Sequence, residues 1–278
     1  MPSIPRLPQI LPLLPFLFLA ACTSPSTETP PAGVTMDLPP LETQADSLAM
    51  DVFHAVGGPD AWSRVRYIRF DFGRAADSTR TVFRSHLWDR FTGDYRVERD
   101  VEGGREVVLF NVNTQEGSAF VDGQAVAADT LADYVSRAYG AYINDTYWLL
   151  APIKLLDPGV SRSFVPDSSD AEFAVIKTTY DNVGLTPGDQ FWFWIERESR
   201  MLDMWGYILQ GRTDRPITKW RWEDYQAFVV EGGDTVRVAP RKTNMPGTSA
   251  IVTDHVDLPR TVAPDAFTRP TSLLDQDG

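Results

Sequence analysis

The sequence predicts a mainly β, antiparallel fold of about ten or eleven strands, with one helix before the strands and a helical segment in the middle. Three observations lead to this prediction. Strand-length runs with a period of two recur from residue 65 to residue 256, short turns rich in Gly and Asp separate them, and residues 129–159 break the pattern. Parallel strands would need long crossover connections, so the short turns indicate an antiparallel sheet.

The chain is acidic and rich in apolar residues. Its 278 residues carry a net charge of −12, with 43% hydrophobic and 12% aromatic residues, which is ample for a sizeable core. A nucleic-acid-binding surface or a polybasic membrane-binding patch needs a clustered basic excess. The composition therefore argues against both.

Residues 1–21 are expected to be a signal peptide and Cys22 a site of lipid attachment. The apolar run from Leu7 to Leu19 has the length of a signal core and is short for a membrane span. It ends in Leu-Ala-Ala-Cys, which resembles the bacterial lipobox. Cys22 is the sole cysteine, so an intrachain disulfide is excluded. A secretory signal that merely contains a cysteine is the alternative, and the three prolines in the run are unusual for a signal core.

The lipobox resemblance implies a lipid-anchored protein of the outer membrane whose domain faces the periplasm, because Thr23 rather than Asp follows the cysteine. Exposure at the cell surface is the alternative. Residues 22–43 are expected to be a lipidated, Pro-rich tether that reaches on the order of 60 Å. A single folded domain is expected over 44–268, followed by a polar tail over 269–278.

The first ordered element is predicted to be a helix from Gln44 to Val56. Apolar residues recur there at steps of three and four, and Gly57-Gly58 provides a stop signal. Pro59 then suits the first turn of a short helix that carries Trp62.

From Val65 onward the apolar period is two. Ile68, Phe70 and Phe72 fall on one face of the first strand. Further strands are predicted over Thr81–Arg90, Asp94–Val101, Glu106–Val112, Gly117–Val121, Phe173–Tyr180, Thr235–Asn244 and Ser249–Val256.

Residues 129–159 interrupt the strands with a helical pattern. Residues 131–143 carry an apolar stripe over three turns. Residues 144–159 are strongly apolar but contain two prolines, so a second, short helix followed by a turn is predicted there. Two interpretations stay open: the helical pair closes the core, or it forms a lid over an apolar cavity.

Asp189–Phe228 holds five of the eight tryptophans, in three aromatic runs of strand length. In the first run Trp192 and Trp194 share one face, while the other face is apolar as well. A strand buried on both faces needs cover on both, from the core or from something that the protein binds. Alternation alone does not tell which face points inward.

The strand count, the order of the elements and the lipobox together resemble the LolA/LolB superfamily of lipoprotein carriers. The resemblance spans residues 41–267 and is carried by HAVGG at the end of the first helix, DTYWLLAPIKLLDP in the central segment, and FWFWIE followed by WGYILQGR. It implies an unclosed, or half, β-barrel whose concave face holds a lipid chain beneath a helical lid.

The resemblance also implies a non-enzymatic function: the binding of a lipid, an acyl chain or another hydrophobic ligand, as a carrier or receptor in the cell envelope. The expected partners are the membrane, through the lipid on Cys22, and a hydrophobic ligand or lipoprotein acyl chain. A monomer is expected, with no cofactor, metal or nucleic acid. The residues expected to bind the ligand are aromatic or apolar side chains of the sheet and the lid: Trp148, Leu149, Trp192, Trp194, Trp205, Tyr207, Trp220 and Trp222.

Two alternatives belong to other classes. The common catalytic and phosphate-binding motifs are absent from the sequence, and the three histidines have no metal-ligand spacing. Carboxylates beside the aromatic strands offer a pair for glycoside hydrolysis, which leaves a glycan hydrolase as one alternative. They are Glu196, Glu198, Asp203, Glu223 and Asp224. The other alternative is a structural or interaction module of the cell envelope, whose apolar faces would be core or a partner surface.

Overall fold

The structure, a computed structural model, describes residues 33–34, 36–77, 79–181 and 183–274. It confirms the predicted class: a mainly β fold with a large antiparallel sheet that is not closed into a barrel, an N-terminal helix and a central helix. The predicted signal peptide, Cys22 and most of the predicted tether lie outside the described residues, as do residues 275–278.

The described residues contain the α-helices α1 (Gln44–Ala55), α2 (Gly58–Ser63) and α3 (Leu131–Lys154). A capping box starts α1: the Thr43 hydroxyl accepts a hydrogen bond from the Asp46 backbone, and the Asp46 carboxylate accepts one from the Thr43 backbone. Leu48, Val52 and Phe53 are buried on the inner side of α1, as their spacing predicts.

Fifteen strands lie in the described part of the chain. They are β1 (Tyr67–Ala76), β2 (Thr79–Asp89), β3 (Asp94–Val101), β4 (Gly104–Asn111), β5 (Gly117–Val121), β6 (Gln124–Ala125), β7 (Val160–Phe164), β8 (Phe173–Tyr180), β9 (Gln190–Glu196), β10 (Leu202–Ile208), β11 (Thr218–Glu223), β12 (Gln226–Val229), β13 (Thr235–Val238), β14 (Arg241–Asn244) and β15 (Ser249–Asp257). Thirteen form one sheet in the order β6-β5-β4-β3-β2-β1-β15-β14-β11-β10-β9-β8-β7, and β12 pairs with β13.

The strand count exceeds the predicted ten or eleven because β6 and β7 were not predicted and because two predicted runs each divide between two sheets. Residues 217–228 contain β11 of the large sheet and β12 of the hairpin, and residues 235–244 contain β13 of the hairpin and β14 of the large sheet. Asp224 turns the chain between β11 and β12 with a φ of 61°.

The helix α3 links the two edges of the large sheet. It follows β6 at one edge and precedes β7 at the other, and its 24 residues contact β4, β5 and β15. A helix of this length spans about 36 Å. It therefore lies across one face of the sheet, where the central lid was predicted.

The prediction of two short helices in the central segment is wrong, because α3 is continuous. The apolar stripe ends at residue 143, but the helix continues through Asp145, which is buried in ion pairs, and through Thr146, whose hydroxyl donates to the Tyr142 carbonyl at 2.6 Å. Pro152 lies in the last turn of the helix, so its missing N–H removes one hydrogen bond to the Trp148 carbonyl and only two helical residues follow it.

The C-terminal segment packs against side chains of β2, β3 and β4. One hydrophobic cluster there contains Leu87 of β2 and Leu274. Arg96, which is fully buried, donates to the Ala266 carbonyl at 3.0 Å. Glu98, also fully buried, accepts a hydrogen bond from the Leu273 backbone at 2.9 Å. Packing against the sheet therefore continues beyond residue 268, as far as residue 274.

Residues from Pro31 onward form one unit by their backbone contacts, and this unit contains three hydrophobic clusters. A segment with its own core is expected to fold without the residues that precede it. No helix in the described part of the chain combines the length and apolar character needed to cross a membrane.

Candidate functional site

Beneath α3, strands β9, β10 and β11 present a layer of aromatic rings. The strand register places Phe193 opposite Trp205 and Trp205 opposite Trp220, so the three side chains share one face. Trp148 of α3 packs on this layer, with its ring centre 4.6 Å from that of Trp205 and 5.2 Å from that of Trp220. These rings meet edge to face, a favourable arrangement for aromatic pairs.

A cavity of about 470 Å³ adjoins the aromatic layer. It lies between the middle of α3, the loop 181–189 and strands β9 and β10. Its walls are mainly aromatic and aliphatic, with Tyr147 and Trp148 from α3, Phe191, Trp205 and Tyr207 from the sheet, and Val183, Leu185 and Leu209 from the loops. This volume falls within the range of about 300–1,000 Å³ that is usual for small-molecule sites.

Two pairs of polar side chains in the cavity wall are hydrogen-bonded within each pair, while the indole nitrogen of Trp205 is buried without a hydrogen-bond partner among the described residues. The hydroxyls of Tyr147 and Tyr180 share a hydrogen bond of 2.5 Å, and Lys154 donates to Asp157 at 3.0 Å. Burial raises the pKa of Tyr180 to about 12 and that of Tyr147 well above its ordinary value, so both hydroxyls are neutral. Burial opposes the charge of Lys154, but Asp157 outweighs this effect and raises the lysine pKa. The cavity thus offers neutral hydroxyls and a balanced ion pair.

Gly140 leaves the helix side of the cavity open. This residue lies in the middle of α3 and lines the cavity. A Cβ atom at this position would meet the Cδ1 atom of Leu185 at 3.8 Å, an ordinary van der Waals contact. A larger side chain here would therefore occupy cavity space without striking the backbone.

Hydrogen bonds join the loop 181–189 to the turn that follows β10. Asp189 accepts from the Thr186 hydroxyl and from the Gln210 backbone, each at 2.6 Å. The Gln210 side chain accepts a further bond from the loop backbone at 3.0 Å. The two loops carry Leu185 and Leu209, which line the cavity and are also exposed, so their side chains form its mouth.

A buried polar cluster fixes the middle of α3 to the sheet. Asp145 is fully buried and accepts two hydrogen bonds from Arg84, at 2.6 and 3.1 Å. Its Oδ2 atom lies 3.0 Å from Nε2 of His86, whose Nδ1 atom bonds to the Tyr95 hydroxyl at 2.9 Å. Burial raises the pKa of Asp145, but His86 and Arg84 outweigh it, so this pKa is lowered and the carboxylate is ionised.

On the far side of this cluster, the first half of α3 packs directly on β3, β4 and β5. Val135 and Ala138 of the helix join the buried residues Tyr95, Val108 and Phe110 of the sheet. The cavity is therefore confined to the side of β9 and β10.

Six of the eight residues predicted to bind a ligand lie in α3 or on the sheet face beneath it: Trp148, Leu149, Trp205, Tyr207, Trp220 and Trp222. Three of them, Trp148, Trp205 and Tyr207, line the cavity. The other three pack into the aromatic layer or the core.

Trp192 and Trp194, which were predicted to bind the ligand, lie on the opposite face of β9. Side chains alternate along a strand, and Phe191 has the phase that faces α3. The ammonium groups of Lys177 and Lys219 lie over the two indole rings instead, at 5.0 and 4.6 Å from the ring centres. Neither tryptophan lines the cavity, and Phe191 does.

Three of the five carboxylates considered for glycan hydrolysis have structural partners. Asp203 pairs with Arg221 at 3.2 Å, and Glu223 accepts a hydrogen bond from Thr243. Glu196 accepts one from a serine in the following turn. Burial raises the pKa of Asp203, and neighbouring carboxylates add to this effect while Arg221 opposes it.

The three histidines have different surroundings. His54 lies on α1, His86 belongs to the Asp145 cluster, and Nδ1 of His255 on β15 lies 2.7 Å from the buried carboxylate of Asp71. Among the residues that the structure describes, no group of three or more His, Cys, Asp or Glu is placed to hold a metal ion.

Sequence reasoning missed Tyr147, Phe191 and the loop 181–189. Phe191 points to the opposite face of the strand from Trp192. Both faces are apolar, so alternation does not tell which one lies beneath the helix. Tyr147 lies beyond the predicted apolar stripe, which ends at residue 143. The loop has no periodic pattern, and only the fold shows that it borders the cavity.

No family model and no curated protein match the chain. Solved structures are similar in fold. A DUF1329 family protein from Desulfovibrio piger has 11% identity and a TM-score of 0.41, with 80% of this chain and 94% of that protein covered.

Two further solved structures are similar at the same level. A putative outer membrane lipoprotein-sorting protein domain from Vibrio parahaemolyticus has 7% identity and a TM-score of 0.38, covering 80% of this chain and 95% of that one. A LolA superfamily protein from Nitrosomonas europaea has 12% identity and a TM-score of 0.37, covering 81% and 98%. Similarity at this level carries no argument about ligand, activity or partner.

Proposed function

We propose that the protein binds a lipid, an acyl chain or another hydrophobic ligand in the cavity beneath α3, as a carrier or receptor of the cell envelope. The observation that supports this best is the cavity itself, which combines aromatic walls with a hydrogen-bonded pair of hydroxyls and an ion pair. An apolar ligand there gains about 0.8 kcal/mol per methylene removed from water. The Lys154–Asp157 ion pair and the hydrogen bonds to Asp189 already compensate the charges of the wall.

In this proposal α3 is the lid. Its middle is fixed through Asp145, while its second half covers the aromatic layer. The loop 181–189, rather than the helix, forms the open side, because Leu185 is 58% exposed. A ligand is then expected to enter past this loop rather than past the helix, which Asp145 fixes to the sheet.

Replacing Gly140 with leucine is expected to weaken acyl binding more than tenfold while leaving the fold intact. The leucine side chain would fill cavity space beneath Leu185. Glycine inside a helix costs about 1 kcal/mol relative to a good helix former, so stability is expected to rise slightly. Binding is measured with residues 31–278 by fluorescence titration with cis-parinaric acid, a fluorescent fatty acid, and stability by urea unfolding.

Ala132→Leu is the matched control, because Ala132 lies on the same helix and is exposed. It is expected to bind the probe like the unmodified protein. If Gly140→Leu binds equally well, the ligand does not occupy this cavity. If the unmodified protein takes up no probe and no lipid copurifies with it, an interaction module becomes the better interpretation.

We also propose that Cys22 carries the lipid anchor and that the protein is attached to the outer membrane. This rests on the lipobox resemblance of residues 19–22 and on the Pro-rich residues that follow. Cys22→Ser is expected to move the protein from the membrane fraction to the soluble periplasmic fraction and to abolish incorporation of labelled palmitate. Retention of label in Cys22→Ser would contradict the anchor.

A further inference from the structure

The mouth of the cavity exposes apolar side chains. Leu185 is 58% exposed and Leu209 is 41% exposed, and both line the cavity. The described residues contain six exposed large apolar side chains, and the other four line neither this cavity nor its mouth. Asp189 and Gln210 bond the two loops together, so the two leucines form one surface.

Two arginines follow this surface in the sequence. Arg212 and Arg215 lie in the exposed turn after Leu209, and backbone hydrogen bonds from Arg212 to Leu209 and from Arg215 to Arg212 shape the turn. In the described part of the chain neither guanidinium group lies in an ion pair, whereas most other arginines do. With Asp214 between them, the turn carries one net positive charge on a protein of net charge −12.

We propose that Leu185, Leu209, Arg212 and Arg215 form a docking rim for a phospholipid bilayer, through which an acyl chain passes between bilayer and cavity without crossing water. This inference rests on the proposed function. Leucines favour the headgroup boundary of a bilayer, and guanidinium groups match phosphate oxygens with paired donors. The acidic remainder of the surface is repelled by anionic lipid, so the rim alone contacts the bilayer and the mouth faces it.

The test is co-flotation of residues 31–278 with vesicles of phosphatidylethanolamine and phosphatidylglycerol. Leu185→Ser with Leu209→Ser is expected to lower the vesicle partition coefficient about tenfold, because two apolar side chains leave the bilayer. Arg212→Ser with Arg215→Ser is expected to lower it about fivefold per arginine.

Matched controls make the same chemical changes elsewhere. Val229→Ser with Met245→Ser removes two exposed apolar side chains, and Arg74→Ser with Arg260→Ser removes two exposed arginines. Both controls are expected to partition within twofold of the unmodified protein. Equal losses in the rim and control variants would overturn the proposal, as would rim variants that float like the unmodified protein.

The same proteins are titrated with cis-parinaric acid in the absence of vesicles, which separates this inference from the proposed function. Rim variants that keep probe binding but lose flotation support docking. Probe binding with no flotation of the unmodified protein overturns docking and leaves the cavity function standing. Flotation of Gly140→Leu without probe binding is expected, because the rim is intact in that variant.

Discussion

Replacing Asp145 with alanine is expected to lower the free energy of unfolding by about 3–5 kcal/mol. Asp145 is fully buried and is the anionic partner of both Arg84 and His86. Its removal leaves a guanidinium group, three-quarters of which is shielded from water, without a counter-charge between α3 and β2. Urea unfolding of residues 31–278 measures the change.

The pH dependence of the stability of the same variant gives a second test of the role of Asp145. The pKa of Asp145 is lowered in the folded protein, so the unfolded chain binds a proton there at a higher pH than the folded chain does. The stability that Asp145 contributes is present above the ordinary aspartate pKa and is lost as the pH falls through the lowered one. Asp145→Ala is expected to lack this part of the acid dependence.

Asp133→Ala is the control for this prediction, because Asp133 lies exposed on the same helix. It is expected to change stability by less than about 1 kcal/mol, through the helix dipole alone. A change of that small size in Asp145→Ala would show that the cluster does not hold α3. Loss of acyl binding in the folded Asp145→Ala protein would connect the position of the helix to the cavity.

The sequence was sufficient for the fold class because its evidence is local. Ile68, Phe70 and Phe72 alternate as a half-buried strand requires, and all three are in the core. The short turns that separate such runs permit antiparallel pairing and disfavour parallel crossovers. The division of residues 235–244 between two sheets was not visible, because both halves keep strand periodicity across Pro240.

The site was harder to predict because its geometry depends on register and on tertiary pairing. In β9 both phases are apolar, so alternation yields two equivalent faces, and only pairing with β10 places Phe191 rather than Trp192 beneath α3. The continuity of α3 past residue 143 was not visible, because the partners of Asp145, Arg84 and His86, lie about 60 positions earlier in the sequence. An ionised residue is buried only where partners compensate its charge, and here these partners are distant in the sequence.

Lys242 on β14 is a second buried ionisable residue that the sequence could not reveal, and replacing it with methionine is expected to stabilise the protein by about 2 kcal/mol. Lys242 is fully buried, donates to the Thr253 hydroxyl at 3.1 Å and lies 4.8 Å from the ring centre of Trp222. No carboxylate among the described residues pairs with it, and burial lowers its pKa well below 10.5. Methionine has a similar volume and needs no hydrogen-bond partner.

The direction in which stability changes with pH distinguishes the removal of a buried lysine from an improvement in packing. Below pH 10.5 the unfolded chain protonates Lys242, while the folded protein keeps it neutral until the pH falls to the lowered pKa. The unfolded state therefore binds more protons across this window, and the unmodified protein loses stability as the pH falls. The advantage of Lys242→Met is thus expected to be larger at about pH 7 than at about pH 10 in urea unfolding.

Lys219→Met provides the matched control, since Lys219 also lies over a tryptophan ring but is only partly buried. It is expected to change stability by less than about 1 kcal/mol. A Lys242→Met protein that is less stable, or whose advantage is equal at both pH values, would mean that the lysine is charged and satisfied in the fold. A stabilised variant that still binds the acyl probe would show that Lys242 serves neither the fold nor the cavity, because its removal would then cost neither stability nor binding.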